Sequence, residues 1–200
     1  MNILNLGYAS TNYYLIEPDR VGLLVDIGWP GTMGRLNNVL KRKGVAFEKI
    51  RYLLATHYHP DHAGLAQEMK DRGVRLIVMD TQVEWIPKLA MIMKPEHHYH
   101  DISLTGNIDL TEATSRAFLK SIGLDGEIIS TPGHTDDSVT LILDEGFAPG
   151  VHRDFGKNAF AFTGDLPPQN AATDEARAKV EESWRKIRSR NVKTVYPAHG

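Results

Sequence analysis

The sequence of 200 residues contains no cysteine. Disulfide bonds, thiolate zinc sites and a cysteine nucleophile are therefore excluded, and any bound metal ion must use histidine and carboxylate ligands. No apolar run approaches the roughly 18 residues that a membrane helix requires. The N-terminal segment also lacks the basic and apolar regions of a secretory signal, so we expect a cytoplasmic protein without a membrane partner.

An excess of charge of either sign is also lacking. The chain has 23 basic and 25 acidic residues, a formal net charge of −2, which creates no field that would attract nucleic acid. Hydrophobic residues make up 42% and charged residues 24% of the chain, as in ordinary globular proteins. We expect a single domain over residues 1–200 and a small-molecule substrate as its partner; the oligomeric state stays open.

The hydrophobic pattern predicts two similar halves, each with strands followed by a helix. Short runs rich in Ile, Leu, Val and Tyr predict strands, and apolar residues at helical spacing predict helices. The predicted helices span residues 32–43, 65–73, about 111–122 and about 173–190. Strands between helices, such as Ile50–Ala55 and residues 75–80, indicate parallel pairing. We therefore expect an α/β fold with two sheets packed face to face and helices outside.

The segment HYHPDH, residues 57–62, places three imidazoles and one carboxylate directly after a predicted buried strand. In an extended stretch alternate side chains share a face, so His57, His59 and Asp61 can point the same way. The intervening proline is acceptable near a helix start, where the chain can turn and bring His62 toward the same pocket. Four donors this close suit two adjacent cations better than one.

The HxHxDH pattern of this segment resembles the signature of the metallo-β-lactamase superfamily. That family implies a four-layer αβ/βα sandwich, with two mixed sheets and helices on the outer faces, and further ligands from later loops. His134 in PGHT, Asp165 in TGD and His199 in PAHG follow predicted strands in the required order. Asp26 in VDIG matches the acidic residue that the family carries ahead of the motif.

The resemblance implies a dinuclear site. It assigns one metal ion to three histidines and a second ion to an aspartate and two histidines, with one aspartate bridging both: His57, His59 and His134; Asp61, His62 and His199; and Asp165. Asp61 is in addition our candidate catalytic residue. Asp26 is expected to orient a loop or a ligand histidine rather than to act as a catalytic base.

This donor set predicts metal-dependent hydrolysis. Imidazole and carboxylate ligands suit two divalent ions, zinc first and otherwise iron or manganese. A bridging hydroxide would attack an ester-like carbonyl. The ligand set is similar to those of glyoxalase II and of the lactonases, which favours a thioester or a lactone. Three alternatives stay open: a mononuclear iron oxidoreductase like the persulfide dioxygenases, β-lactamase or phosphodiesterase activity at the same site, and a purely structural metal site.

Three further features permit two interpretations each. The cluster at residues 96–101, which includes His97, His98 and His100, could line the substrate entrance or bind metal, although a solvated loop is favoured. Tyr58 could contact substrate or pack against the sheet. The apolar run at residues 85–93 could form a lid or an interface, with core packing favoured, so the role of segment 81–110 stays open. The loop from Gly146 to Gly156, with His152, is expected at the surface.

Overall fold

A computed structural model describes residues 1–18, 21–144 and 158–200 of the chain. The described residues form ten strands in two mixed sheets. The larger sheet has the order β1-β2-β3-β4-β5-β6, with antiparallel pairing from β1 to β3 and parallel pairing from β3 to β6. Its strands are β1 (Asn2–Asn5), β2 (Tyr14–Glu17), β3 (Gly22–Val25), β4 (Ile50–Leu54), β5 (Arg75–Met79) and β6 (Ile108–Leu110).

The smaller sheet has the order β10-β9-β8-β7, in which only β9 and β10 are parallel. Its strands are β7 (Gly126–Ser130), β8 (Val139–Asp144), β9 (Ala159–Gly164) and β10 (Val192–Pro197). The helices are α1 (Met33–Lys43), α2 (Pro60–Ala63), α3 (Ala66–Asp71), α4 (Ile86–Ile92), α5 (Glu112–Ser121) and α6 (Arg177–Arg188).

Three apolar cores fill the spaces between the sheets and the helices. One lies between the larger sheet and the helices α1, α3 and α4, and a second lies between the two sheets, to which α5 adds Leu119. The third lies between the smaller sheet and α6, where Trp184 and Ile187 pack. Because side chains alternate along a strand, both faces of each sheet are covered, and the expected arrangement of two mixed sheets with outer helices is observed.

Several boundaries differ from the prediction. The helix predicted for residues 65–73 is instead preceded by the separate helix α2, which begins at Pro60, and α3 covers only Ala66–Asp71. The last helix begins at Arg177, not at residue 173. The predicted loop from Gly146 to Gly156, with His152, lies outside the described residues. Within the described part of the chain, no helix combines the length and apolar character needed to cross a membrane.

The chain order places the candidate site at the carboxyl ends of strands from both sheets. Asp26 follows β3 and the 57–62 segment follows β4, both in the larger sheet. His134, Asp165 and His199 follow β7, β9 and β10 in the smaller sheet. Loops at strand carboxyl ends are the usual place for ligand sites in α/β folds.

Candidate metal centre

The first group of candidate ligands combines three histidines from two loops. One nitrogen from each of His57, His59 and His134 lies within 4.8 Å of the others. His57 is buried after β4, and His59 has the extended backbone that precedes the first turn of α2. His134 comes from the loop after β7, and its Nε2 lies 3.1 Å from His59 Nδ1. The turn at the start of α2 therefore directs the first two histidines toward the loop of the other sheet.

The second group combines an aspartate with two histidines. Ligand atoms of Asp61, His62 and His199 lie within 4.8 Å of one another. The distance from Asp61 Oδ2 to His199 Nε2 is 3.3 Å, and that to His62 Nε2 is 3.5 Å. Asp61 and His62 lie in the single turn of α2, and His199 arrives from the end of β10. The segment 57–62 thus contributes to both groups.

Asp165 lies between the two groups and presents one carboxylate oxygen to each. Its Oδ2 is 3.5 Å from His134 Nε2 and 3.9 Å from His57 Nε2. Its Oδ1 is 3.3 Å from both His62 Nε2 and His199 Nε2. Together with His57 and His62, Asp165 forms a third candidate group that overlaps both of the others.

Hydrogen bonds to their second nitrogens orient three of the histidines. His62 Nδ1 lies 3.0 Å from Asp26 Oδ2, and His199 Nδ1 lies 2.8 Å from the carbonyl oxygen of Ser10. Thr56 Oγ1 donates to Asp26 and lies 3.3 Å from His57 Nδ1, from which it can accept. Since each Nδ1 faces an acceptor, it carries the proton and leaves the Nε2 lone pair free for a cation.

Asp26 occupies an unusual backbone conformation. Its φ is +62°, a left-handed value that few non-glycine residues adopt. The buried carboxylate accepts from the backbone nitrogen of Thr56 at 2.7 Å as well as from His62. The turn after β3 therefore directs the carboxylate at Thr56, which follows β4, and at a candidate ligand.

Four supporting residues were missed at the level of the sequence. Thr11 Oγ1 donates to Asp61 Oδ2 at 3.0 Å, and Ser10 orients His199 as described. The buried Asp137 accepts at 2.8 Å from the backbone nitrogen that lies between His57 and His59 in the chain. The buried Gln82 donates to the carbonyl of Ala55 just before the motif, at 2.9 Å. Their spacing carries no motif, and only Asp137, three residues after a candidate ligand, could have drawn attention.

The electrostatics of the site follow from burial and from the three carboxylates. Burial, together with the neighbouring imidazoles, holds the pKa of His57 well below its ordinary value, so this ring is neutral as a metal ligand must be. Burial also opposes charge on His62, but Asp26 and Asp165 outweigh it and raise its pKa to about 10, so a metal ion at Nε2 would have to displace a proton from this ring. Burial acts to raise the pKa of Asp165, yet the adjacent His62 holds it below its ordinary value. These carboxylates thus attract positive charge into the centre.

The residues fit divalent metal ions. The buried atoms His57 Nε2, His62 Nε2 and Asp165 Oδ1 have no hydrogen-bond partner within the described residues. Buried polar atoms without partners are costly, which indicates that a ligand satisfies them. Two donors at about 2.0–2.1 Å from a tetrahedral zinc ion lie about 3.3 Å apart, which agrees with the 3.3 Å between His199 Nε2 and Asp165 Oδ1.

The remaining histidine cluster does not join this centre. His97 Nδ1 accepts from the backbone nitrogen of Lys94 at 3.2 Å, and its ring packs against Trp29. Among the described residues, His97, His98 and His100 belong to no group that could hold a metal ion. The cluster is therefore a surface loop within the described part of the molecule.

Tyr58 and the apolar run at residues 85–93 contribute mainly to packing. Tyr58 is buried in the core between the larger sheet and its outer helices, away from solvent. In α4, Ile86 and Leu89 are buried in the same core, whereas Met91 and Ile92 are exposed. The run is thus an amphipathic helix, half of which packs as the core interpretation predicts.

Comparisons with known proteins agree with this geometry. A sequence model described as the metallo-beta-lactamase superfamily matches residues 6–199. A protein named probable metallo-hydrolase from Methanocaldococcus jannaschii is 28% identical over 97% of this chain and 89% of its own length. An atrochrysone carboxyl ACP thioesterase from Passalora fulva is 26% identical over 96% of this chain. This chain spans 49% of the length of the thioesterase, and it spans about half the length of several other relatives as well.

Solved structures share the fold. A metallo-β-lactamase of Novosphingobium pentaromativorans superimposes with a TM-score of 0.71 at 15% identity, covering 99% of this chain and 73% of the other. A B3 metallo-β-lactamase with an active-site glutamic acid gives a TM-score of 0.68 at 19% identity, covering 99% and 76%. At these identities the likeness concerns the fold alone, and it confirms the predicted sandwich of two mixed sheets with outer helices.

Proposed function

Because the chain belongs to the metallo-β-lactamase superfamily, we propose that it is a dinuclear metal-dependent hydrolase that cleaves a thioester or a lactone. The observation that carries this proposal is the division of the candidate ligands into two groups, with one oxygen of Asp165 facing each. A closed structural site needs four ligands and one ion. Seven donors around two positions exceed that need and favour catalysis.

In this proposal the two groups would hold one divalent ion each, with Asp165 shared between them. Bound ions would supply an acidified water and polarise a carbonyl oxygen. Asp26 and Ser10 keep His62 and His199 in the orientation that exposes Nε2. Thr11 donates to Asp61 Oδ2, the oxygen that also faces His62 and His199, and thereby fixes this carboxylate. We assign to the partly exposed Asp61 the acceptance of the proton released at the site.

The substrate class rests on relatives and on chemistry. The fungal relative is named as a thioesterase, and its similarity covers nearly all of this chain. An activated carbonyl such as a thioester or lactone needs no nucleophilic side chain when an acidified water is present. The thioesterase relative is what supports an ester-like bond for this chain.

Metal analysis followed by a substrate panel tests the proposal. Protein prepared without chelator is expected to contain about two divalent ions per chain and to hydrolyse thioesters or lactones faster than β-lactams or phosphodiesters. Asp165→Asn should lose most activity, whereas Asp136→Asn should keep it, because Asp136 is exposed and pairs with Lys179. One iron per chain with oxygen-dependent oxidation of a persulfide would establish the dioxygenase alternative instead. Bound metal without turnover of any substrate would indicate a structural site.

A further inference from the structure

A cavity of about 510 Å³ adjoins the candidate metal centre. Three candidate ligands, His134, Asp165 and His199, form part of its lining. Its volume falls within the range of roughly 300–1,000 Å³ that is typical of small-molecule sites. A molecule in this cavity is therefore in direct contact with the residues that would perform the chemistry.

The rest of the lining is largely apolar. We call the apolar subsite the set formed by residues 166–168, Trp184 and Val195. Residues 166–168 follow β9, Trp184 lies on α6, and Val195 lies on β10 opposite Ala161 in the register. Trp184 Nε1 donates to the carbonyl oxygen of Pro167 at 2.8 Å. Since this bond satisfies the indole nitrogen, the ring offers the cavity an apolar surface in a fixed position.

The absence of charge from the apolar subsite disfavours charged ligands there. Apart from the candidate ligands, none of the described residues that line the cavity is charged. A carboxylate or phosphate in the apolar subsite would lose its hydration without gaining a cationic partner, which is costly. An uncharged hydrocarbon group would instead gain free energy from removal of its surface from water.

We propose that the apolar subsite binds an uncharged, apolar acyl group of the substrate, next to the carbonyl that is cleaved at the metal centre. This inference rests on the proposed hydrolase function and adds the chemical class of the substrate. The subsite lies between α6 and the outer face of the smaller sheet, beside the three candidate ligands that line the same cavity.

A series of acyl thioesters of one thiol measures the effect of chain length. From acetyl to octanoyl, kcat/KM is expected to rise by about fourfold per methylene until the subsite is filled, because burial of each methylene contributes about 0.8 kcal/mol. An adipoyl thioester, in which a carboxylate replaces the terminal methyl of hexanoyl, should lose this gain. A matching series varied on the thiol side should show no such rise.

Two variants on the same strand localise the effect. Val195→Asp places a charge in the subsite and should lower the ratio of octanoyl to acetyl kcat/KM at least tenfold. Thr194→Asp is the matched control, because Thr194 is exposed on β10 and does not line the cavity. It should leave the ratio unchanged, and circular dichroism should show both variants folded.

A binding measurement separates the subsite from the hydrolase function. Calorimetry with the metal-loaded protein should show tighter binding of 2-octanone than of 2-hexanone, and the difference should disappear in Val195→Asp. Three results would overturn the acyl assignment and leave the hydrolase function standing. These are a kcat/KM that does not depend on acyl length, a kcat/KM that rises with chain length on the thiol side instead, and a ratio of octanoyl to acetyl kcat/KM that is unchanged in Val195→Asp. Absence of all ester hydrolysis would overturn the hydrolase, and the ketone titration would then decide on the subsite alone.

Discussion

The contact between Asp26 and His62 leads to a sharp prediction for the variant Asp26→Asn. The native carboxylate faces His62 Nδ1 at 3.0 Å and accepts from Thr56 nitrogen at 2.7 Å. If the asparagine oxygen keeps the bond from Thr56, its NH₂ group faces His62 Nδ1. Two donors then oppose each other, unless the imidazole moves its proton to Nε2.

A proton on Nε2 blocks the atom that the second group would present to a metal ion. Loss of such an orienting partner typically weakens metal affinity by about 10–100-fold, which corresponds to about 1.4–2.7 kcal/mol. We expect this loss for the second metal ion only, because the first group does not include His62. Replacement of the charged acceptor in this buried hydrogen bond should also lower the free energy of unfolding of the metal-free protein by about 1–3 kcal/mol.

Zinc titration of the metal-free protein against a chelating indicator measures both affinities, and urea denaturation measures stability. Asp137→Asn is the matched control, because Asp137 is equally buried and accepts from the backbone nitrogen of Tyr58. An asparagine can keep that bond, so both metal ions should bind as in the wild type. If folded Asp26→Asn protein binds two zinc ions with unchanged affinity, then Asp26 does not orient His62 toward a metal.

Two further predictions concern a close backbone approach and the end of the chain. Gly164→Ala should destabilise the protein by more than about 1 kcal/mol in urea denaturation. The reason is that the φ of Gly164 is +56° and that an added Cβ would lie 2.3 Å from Thr56 Oγ1. The control Gly34→Ala, in α1 with open space around it, should stabilise the protein by up to about 1 kcal/mol. Removal of residues 199–200 should sharply reduce turnover and the affinity for the second metal ion, while the circular dichroism spectrum changes little. Full activity with two tightly bound ions would show that the second group does not include His199.

Elements with strong local signals could be predicted from the sequence. The helix predicted at residues 32–43 is observed as α1, and Gly44 ends it with a left-handed φ of 66°. The strand predicted at Ile50–Ala55 is observed as β4. In each case the residues that determine the element are neighbours in the chain, so hydrophobic periodicity and a terminating glycine are sufficient.

The interruption between α2 and α3 could not be predicted in this way. A Cβ at Gly64 would lie 2.4 Å from Pro30 and 2.7 Å from the carbonyl of Gly28. Gly64 keeps a right-handed helical backbone, and the approach of a segment more than thirty residues earlier in the chain leaves no room for a Cβ between the two helices. Local periodicity contains no information about such a neighbour.

The candidate site likewise has a part that local sequence patterns indicate and a part that depends on distant contacts. The motif at residues 57–62 and the short motifs around later residues indicated the groups that the structure brings together. Their support depends on contacts across the chain: Thr11 donates to Asp61 over a separation of 50 residues, and Ser10 accepts from His199 over 189. These partners are common residue types at positions without a pattern, and only the folded sheets reveal their proximity.

The origin of the candidate ligands in both sheets has a kinetic consequence. Metal ions held there would bind only to states in which the two sheets are already docked, and by mass action such binding stabilises those states alone. Contacts over such long separations form late in folding, so bound metal should slow unfolding far more than it accelerates folding. The lifetime of the folded chain would then depend on the concentration of free metal in its surroundings.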